Sequence, residues 1–512
     1  MRRKKANRKP GGVKKLQTIT GRGIGSEGGK ETVKTPISEN ELQKVFAGCS
    51  DIHFQQMRFG DHQAIIVNCE GMVDKEMLNQ SMFPKMENFF QSNQNAVMTK
   101  DRILQSLHLP DLAEVTDEKQ MTDDVFSGKV LFYLKNGSYI FSADISKRPQ
   151  RTPEETRTEV SIKGPRDNFI EDLSINIALI RKRLKTTSLK VENYQIGRRS
   201  RTPVGLLFIK DIANKHILDE LRKCIKAIDV DAVYGGNQFM ELIEKVPFLI
   251  PKHSYSGRPD FVVESLLSGR CAILIDGVAY ANIVPTNLFF LLKSSGDSEF
   301  SSFYSSFERA LRIFGVFFAA YLPGFWVAIT TFHQNQLPLT LLAPVVESRQ
   351  GLPLPTGLEA IVVIILFELL KESGMRMPQS IGFTVSVVGG LIIGQAVIDA
   401  RLTSPAMMVV IAVSTISTFT FTNQGIIGAI SLLRIATIVL ASFLGLFGFI
   451  LSFFFIIVYV SNLRIFGLPY MEMLANLDFF NIVKAMFRLP ARYNKKRPVM
   501  LFSRDNTPKG KN

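Results

Sequence analysis

From Ile435 to Val460 the chain runs for 26 residues without a charged side chain. As a helix this stretch would be roughly 39 Å long, more than the ~30 Å hydrocarbon core of a bilayer, so it is expected to tilt. Such a run fits the centre of a large core or a membrane, and its neighbours decide between them. "LRIFGVFFAAYLPGFWVAITT" (311–331) has no charge after Arg312. "IGFTVSVVGGLIIGQAVIDA" (381–400) and "PAMMVVIAVSTISTFTFT" (405–422) follow. Together they predict an all-α, multi-pass membrane domain over residues 301–465. "LEAIVVIILFELLKESG" (358–374) fits less well, because only Ala360 to Phe367 lie free of charge. That is too short to cross alone, so the segment is expected to be re-entrant or shielded by other helices. Four crossings plus this segment is the expected topology, or six if other segments are split.

Before residue 300 the pattern is that of a soluble α/β region with two subdomains, 41–150 and 151–300. "QAIIVNCEGMVDKEMLNQSMF" (63–83) reads as strand, turn, helix, and "TPVGLLFIKDIANKHILDELRKCIKAI" (202–228) as a second such set. "KVLFYLKNGSYIFSADI" (129–145) and "RCAILIDGVAYANIV" (270–284) each hold two strands about an Asn-Gly or Asp-Gly, which suits a two-residue hairpin turn. A helix is expected over 167–185. Phe169, Leu173, Ile177 and Leu184 lie on one side, Glu171 and Asp172 in the first turn, and Arg181, Lys182 and Arg183 in the last.

The net charge of +15 sits in the tails. Residues 1–30 carry +9 and residues 481–512 carry +8, which leaves about −2 for the middle. Basic tails (1–40, expected to be disordered, and 466–512) suit anionic membrane lipid better than a nucleic-acid groove, which needs a folded basic face. The positive-inside rule puts both termini in the cytosol. Four cysteines, none in a CxxC pair, are too sparse for a disulfide framework and are expected to be reduced. No nucleophile elbow, P-loop, metal-ligand spacing or dinucleotide fingerprint is present, so neither an enzyme nor a cofactor is expected.

The polar residues of the apolar half are the candidate functional residues. Gly382, Ser386, Gly390 and Gly394 recur every four residues and form a small-residue stripe for helix packing. Gln395 and Asp399 make an adjacent polar face, with Arg401 two residues on. Such a face calls for a partner helix or water. Ser414, Thr418 and Thr422 form a hydroxyl stripe. It either bonds its own helix's carbonyls or lines a weakly polar path. Glu368 and Glu372 stand one turn apart beside Lys371 and Arg376.

"FELLKESGMRMPQSIG" (367–382) followed by "VVGGLIIGQAVIDARLTSP" (387–405) resembles the membrane signature of the A subunits of bacterial spore germinant receptors. "TTFHQNQLP" (330–338), "SRQGLPLP" (348–355), "EVSIKGPRDNFIEDLSINIALIRKRLK" (159–185), "IDVDAV" (228–233) and "SGRPDFVVESLLSGRCAILIDG" (256–277) are similar to other parts of that family. The resemblance spans residues 60–480. It departs at Ile364, where the family usually has Glu, at Arg401, usually Gly, and at Thr422, usually Pro. It implies a multi-pass subunit of a receptor in the spore inner membrane, with a transporter-like B subunit and a lipoprotein C subunit as partners. It also implies a homo-oligomer that forms a ligand-gated, ion-conducting path. A non-conducting scaffold and a secondary transporter are the alternatives; a transporter would show inverted repeats, and none is evident.

Overall fold

Cys271–Ile275 reads CAILI, and a strand can bury every residue only if both faces of its sheet are covered. The computed structural model describes residues 38–60, 62–93, 99–135, 137–147, 165–244, 249–377 and 379–471, with 487, 488, 490, 497, 501–505 and 507; the side chains of 375 and 379–388 are excepted. It shows such double cover twice. The first sheet contains β1 (Ile52–Phe59), β2 (His62–Cys69), β3 (Ala113–Glu114), β4 (Lys129–Leu134) and β5 (Tyr139–Asp144) in the order β1-β2-β4-β5-β3. The second contains β6 (Leu189–Ile196), β7 (Thr202–Ile209), β8 (Ser254–Ser256), β9 (Cys271–Ile275) and β10 (Ala281–Val284) in the order β6-β7-β9-β10-β8. Every pairing is antiparallel, so the two sheets repeat one topology. The α/β region with two sheets agrees with the sequence reading.

The helices that cover the sheets follow the same repeat. Helices α1 (Glu39–Val45), α2 (Phe83–Ser92), α3 (Lys100–Ser106) and α4 (Glu118–Val125) pack on the first sheet. Helices α5 (Leu173–Arg183), α6 (Lys215–Lys226), α7 (Gly236–Glu244) and α8 (Pro259–Leu267) pack on the second. In β7, Val204, Leu206 and Phe208 face α6 and α7, while Leu207 and Ile209 face α5 and α8.

Two local expectations are corrected. The connections are longer than two-residue turns, because pairing stops at Leu134↔Tyr139 in one hairpin and five residues separate β9 from β10 in the other. Helix α5 starts at Leu173, with Asp172 outside it as the cap that accepts from Ile175 N–H. Glu171 therefore precedes the helix. All four cysteines are free thiols.

Beyond residue 300 the chain is helical: α9 (Ser302–Phe332), α10 (Leu339–Arg349), α11 (Thr356–Arg376), α12 (Gln379–Asp399), α13 (Pro405–Thr418) and α14 (Gln424–Asn462). Helices α9 and α14 are long and apolar enough to cross a membrane. Large apolar side chains stand bare on both, such as Phe303 at 87% exposure and Phe443 at 78%. The segment expected to be re-entrant or shielded by other helices, 358–374, lies inside the 21-residue helix α11.

Helix α14 is not one tilted rod. Gly445 takes φ 57° and ψ −138°, and a side chain added at Gly448 would lie 2.1 Å from the Leu440 carbonyl oxygen. Residues eight apart on a straight helix sit about 12 Å apart, so the helix turns back on itself here. Both ends of the hairpin reach the same short stretch, 249–255: Gln424 N–H donates to Tyr255 Oη, and Tyr459 Oη accepts from Leu249 N–H. Only glycine adopts that conformation without strain, and a Cβ at 445 would also meet Phe332 and His333 at 3.0 Å. Gly445→Ala is expected to destabilise the helical part by roughly 1–3 kcal/mol, read as a lower unfolding temperature in detergent. Gly428→Ala, where nothing lies within 4 Å, is the control and is expected to be near neutral.

The basic C-terminal stretch returns to the α/β region. Leu501 is buried in the core of the second sheet, and its carbonyl accepts from Asn214 Nδ2. Arg488 donates to the carbonyls of Ser298 and Phe300.

Candidate functional site

A 39-residue apolar helix holding one ionised group needs a counter-charge for it. That group is Arg434 in α14, 1% exposed. Its Nη2 donates to Glu368 Oε1 of α11 at 2.7 Å, and its Nη1 donates to Ser414 Oγ of α13 at 3.2 Å. Ser414 Oγ donates to the Ala319 carbonyl of α9 at 2.8 Å. Glu368 also accepts from Ser431 Oγ at 2.7 Å and from Lys371 Nζ at 3.3 Å. One polar chain thus ties four helices together. Arg434 Nε has no partner among the described residues.

A second carboxylate lies nearer the start of α11. Glu359 is fully buried, and its Oε1 accepts from Thr403 Oγ1 at 2.9 Å, Ser404 Oγ at 2.8 Å and Ser404 N–H at 2.6 Å. Those donors sit at the start of α13, where a negative charge complements the helix dipole. Glu359 Oε2 has no partner among the described residues.

Of the residues singled out in the sequence, Glu368 and Ser414 meet in this network. Thr418 does not join it; it donates to the Thr415 carbonyl of its own helix at 2.6 Å. Thr422 donates to the Lys293 carbonyl at 3.5 Å. Gln395 Nε2 donates to Asp399 Oδ1 at 3.1 Å, and both residues are exposed on α12. That pair therefore does not turn toward Ser414 and Thr418 within the chain. Arg401 is exposed, has φ 55° and lies over Gly351 rather than on Asp399. The Glu372–Arg376 pair is a surface contact at 2.6 Å.

The glycine stripe behaves differently from the expected backbone-on-backbone contact. A Cβ at Gly390 would touch only the Leu370 side chain at 3.6 Å, and Gly394 has nothing within 4 Å. Both line a small apolar gap with Val363, Phe367 and Met408. The surroundings of Gly382 and Ser386 lie outside the described residues. Ile364, the departure from the acidic position, is buried among Val327, Ala360 and Ile411. An isoleucine suits that face of α11 because it is packed and dry.

Arg434 and Glu359 were not among the candidates read from the sequence. A signal for Arg434 exists: it is the sole charge in Gln424–Asn462. Counting the apolar run from Ile435 leaves it just outside the window. Among the described residues no cluster of side chains suits a metal ion.

Residues 40–500 match the family described as "Bacillus/Clostridium GerA spore germination protein". The chain is similar to spore germination protein XA of Bacillus anthracis, 38% identical over 93% of this chain and 98% of that one. It is similar to the uncharacterized membrane protein YfkQ of Bacillus subtilis (strain 168), 32% identical over 93% and 94%. A crystal structure of the N-terminal domain of the A subunit of the Bacillus megaterium spore germinant receptor GerK3 aligns at 24% identity and a TM-score of 0.37, over 48% of this chain and 94% of that chain. The chain belongs to the GerA spore germination family.

Proposed function

We propose that the chain is the membrane subunit of a nutrient germinant receptor, and that copies of it assemble into a ligand-gated path for ions. The observation that carries this is the Gln395–Asp399 pair. Glu368, Glu359 and Arg434 each have side-chain partners on other parts of the helical region, whereas this carboxylate stands exposed beside Leu391 and Ile392, at 75% and 61% exposure. A carboxylate on an otherwise lipid-suited helix needs water or another subunit against it. A ring of such groups from several copies would favour cations.

In this reading residues 41–300 form the cytosolic part and 301–465 the multi-pass domain of the spore inner membrane. The hairpin at Gly445 splits α14 into two arms. With α9, α11, α12 and α13 that gives six, an even number, in place of four crossings and a re-entrant segment. The contact of residues 488 and 501 with the soluble region supports both termini on one side. A transporter-like B subunit and a lipoprotein C subunit are the proposed partners.

The test is ion release from liposomes that carry the assembled receptor. Asp399→Asn is expected to assemble normally and to change flux or cation selectivity. Normal assembly with unchanged flux and selectivity would remove this face from any conducting path and favour a non-conducting scaffold.

A further inference from the structure

The middle of the chain, residues 31–480, has a net charge of about −2, yet four of its basic side chains share one cleft with Arg504 of the basic C-terminal stretch. The cleft encloses about 290 Å³ and is lined by five basic side chains, Lys190, Lys210, Lys215, Arg222 and Arg504, and by one acid, Glu192. Four parts of the chain build it. Lys190 and Lys210 come from and follow the neighbouring strands β6 and β7. Lys215 and Arg222 lie on α6. Arg504 comes from the C-terminal stretch, anchored by its N–H on the Ile212 carbonyl. Ala47 and Gly48 of the first subdomain close the remaining side.

The one acid is already committed. Arg222 holds Glu192 through two hydrogen bonds, at 2.5 and 3.0 Å. Burial pushes the Glu192 carboxyl up, and the bonds from Arg222 and Tyr194 outweigh it and hold the group below its ordinary range. Lys190 donates to the Ala47 carbonyl at 2.6 Å. Lys210, Lys215 and Arg504 have no carboxylate within ion-pair distance among the described residues. Three such cations on one small concave surface repel one another unless a ligand supplies the counter-charge.

We propose that this cleft binds a compact multivalent oxyanion, a small molecule with two or more phosphate or carboxylate groups, and that binding fastens the C-terminal stretch to both sheets. A cavity of this size is too small for a protein segment with side chains and large enough for such a molecule. Because Arg504 follows the last membrane helix while Ala47 precedes the first sheet, occupancy would join the two ends of the folded chain.

The experiment is thermal unfolding of the full chain in detergent, titrated with pyrophosphate or with citrate while sodium chloride holds ionic strength constant. A saturable rise in unfolding temperature is expected with at least one of the two, and which one responds tells phosphate from carboxylate. Lys210→Ala combined with Lys215→Ala, both exposed, is expected to unfold like the parent without ligand and to bind at least about tenfold more weakly. Arg504→Ala alone is expected to weaken binding as well. The proposal is overturned if neither anion acts beyond the matched chloride control, or if the double variant responds as the parent does.

Discussion

Glu368→Ala is expected to destabilise the helical part by about 3–5 kcal/mol, the range for removing one partner of a buried ion pair. The loss does not come from the Coulomb attraction alone. It comes from leaving the Arg434 guanidinium, 1% exposed, with Ser414 Oγ as its one remaining side-chain partner among the described residues. The reverse change, Arg434→Ala, is expected to cost less. Glu368 is 35% exposed and keeps Lys371 and Ser431. Glu368→Leu with Arg434→Met is expected to recover most of the stability, since two apolar side chains of similar volume need no counter-charge. Unfolding in detergent checks the three variants. The double variant also separates two roles. If it assembles and the receptor still answers nutrient, the pair only holds helices together. If it assembles and the answer is lost, the pair belongs to the gate of the proposed path.

Why the sequence yields the strands more readily than this network follows from the range of the interactions. "GLLFI" and "CAILI" report their own burial, because each strand is covered on both faces and nothing distant changes that. The likeness between the 63–83 and 202–228 segments is local too, and it corresponds to the repeated strand order. Ser414 is another matter. A serine in a helix can bond its own carbonyl four residues back, and Ser417 does so. Ser414 instead reaches Ala319, 95 residues away, because α9 is packed against its face. Nothing within α13 distinguishes the two serines.

The hairpin in α14 shows the same limit from the backbone side. Gly428, Gly445 and Gly448 all lie in the apolar run or beside it. Only Gly445 takes a positive φ, and it does so where Phe332 and His333, distant in sequence, leave no room for a side chain. An uncharged run of 26 residues therefore reads as one long span although it is bent at its eleventh residue.

Arg181 carries this furthest, and it leads to the largest effect expected in the α/β region. In the sequence it is one of three basic residues in the last turn of α5, where a positive charge suits the helix dipole. In the fold it is wholly buried and reaches Asp51, 130 residues back, through Nε at 2.6 Å and Nη2 at 2.9 Å. Its Nη1 donates to the Thr186 carbonyl, and its guanidinium lies 4.4 Å from the centre of the Phe126 ring. Burial works against the charge on Arg181, and Asp51 more than offsets it, so the guanidinium is held more firmly protonated than an ordinary arginine. Asp51 and Phe126 belong to the first subdomain, and Arg181 to the helix that packs on both sheets through Ala178 and Ile180. The Ser50 N–H to Val191 carbonyl bond runs alongside. Arg181→Ala leaves Asp51 buried and unpaired, and Asp51→Ala does the same to Arg181. Each is expected to cost about 3–5 kcal/mol. Arg181→Lys is expected to recover only part of this, because one ammonium cannot replace the two-pronged contact. Chemical denaturation of the full chain, followed by the protection of α5 amides from exchange, tests the assignment. A loss below about 1 kcal/mol for both alanine variants would place the pair with solvent-exposed salt bridges. The two sheets would then be held by their other contacts, among them the Ser50–Val191 and Lys190–Ala47 hydrogen bonds and the apolar packing around Ala178.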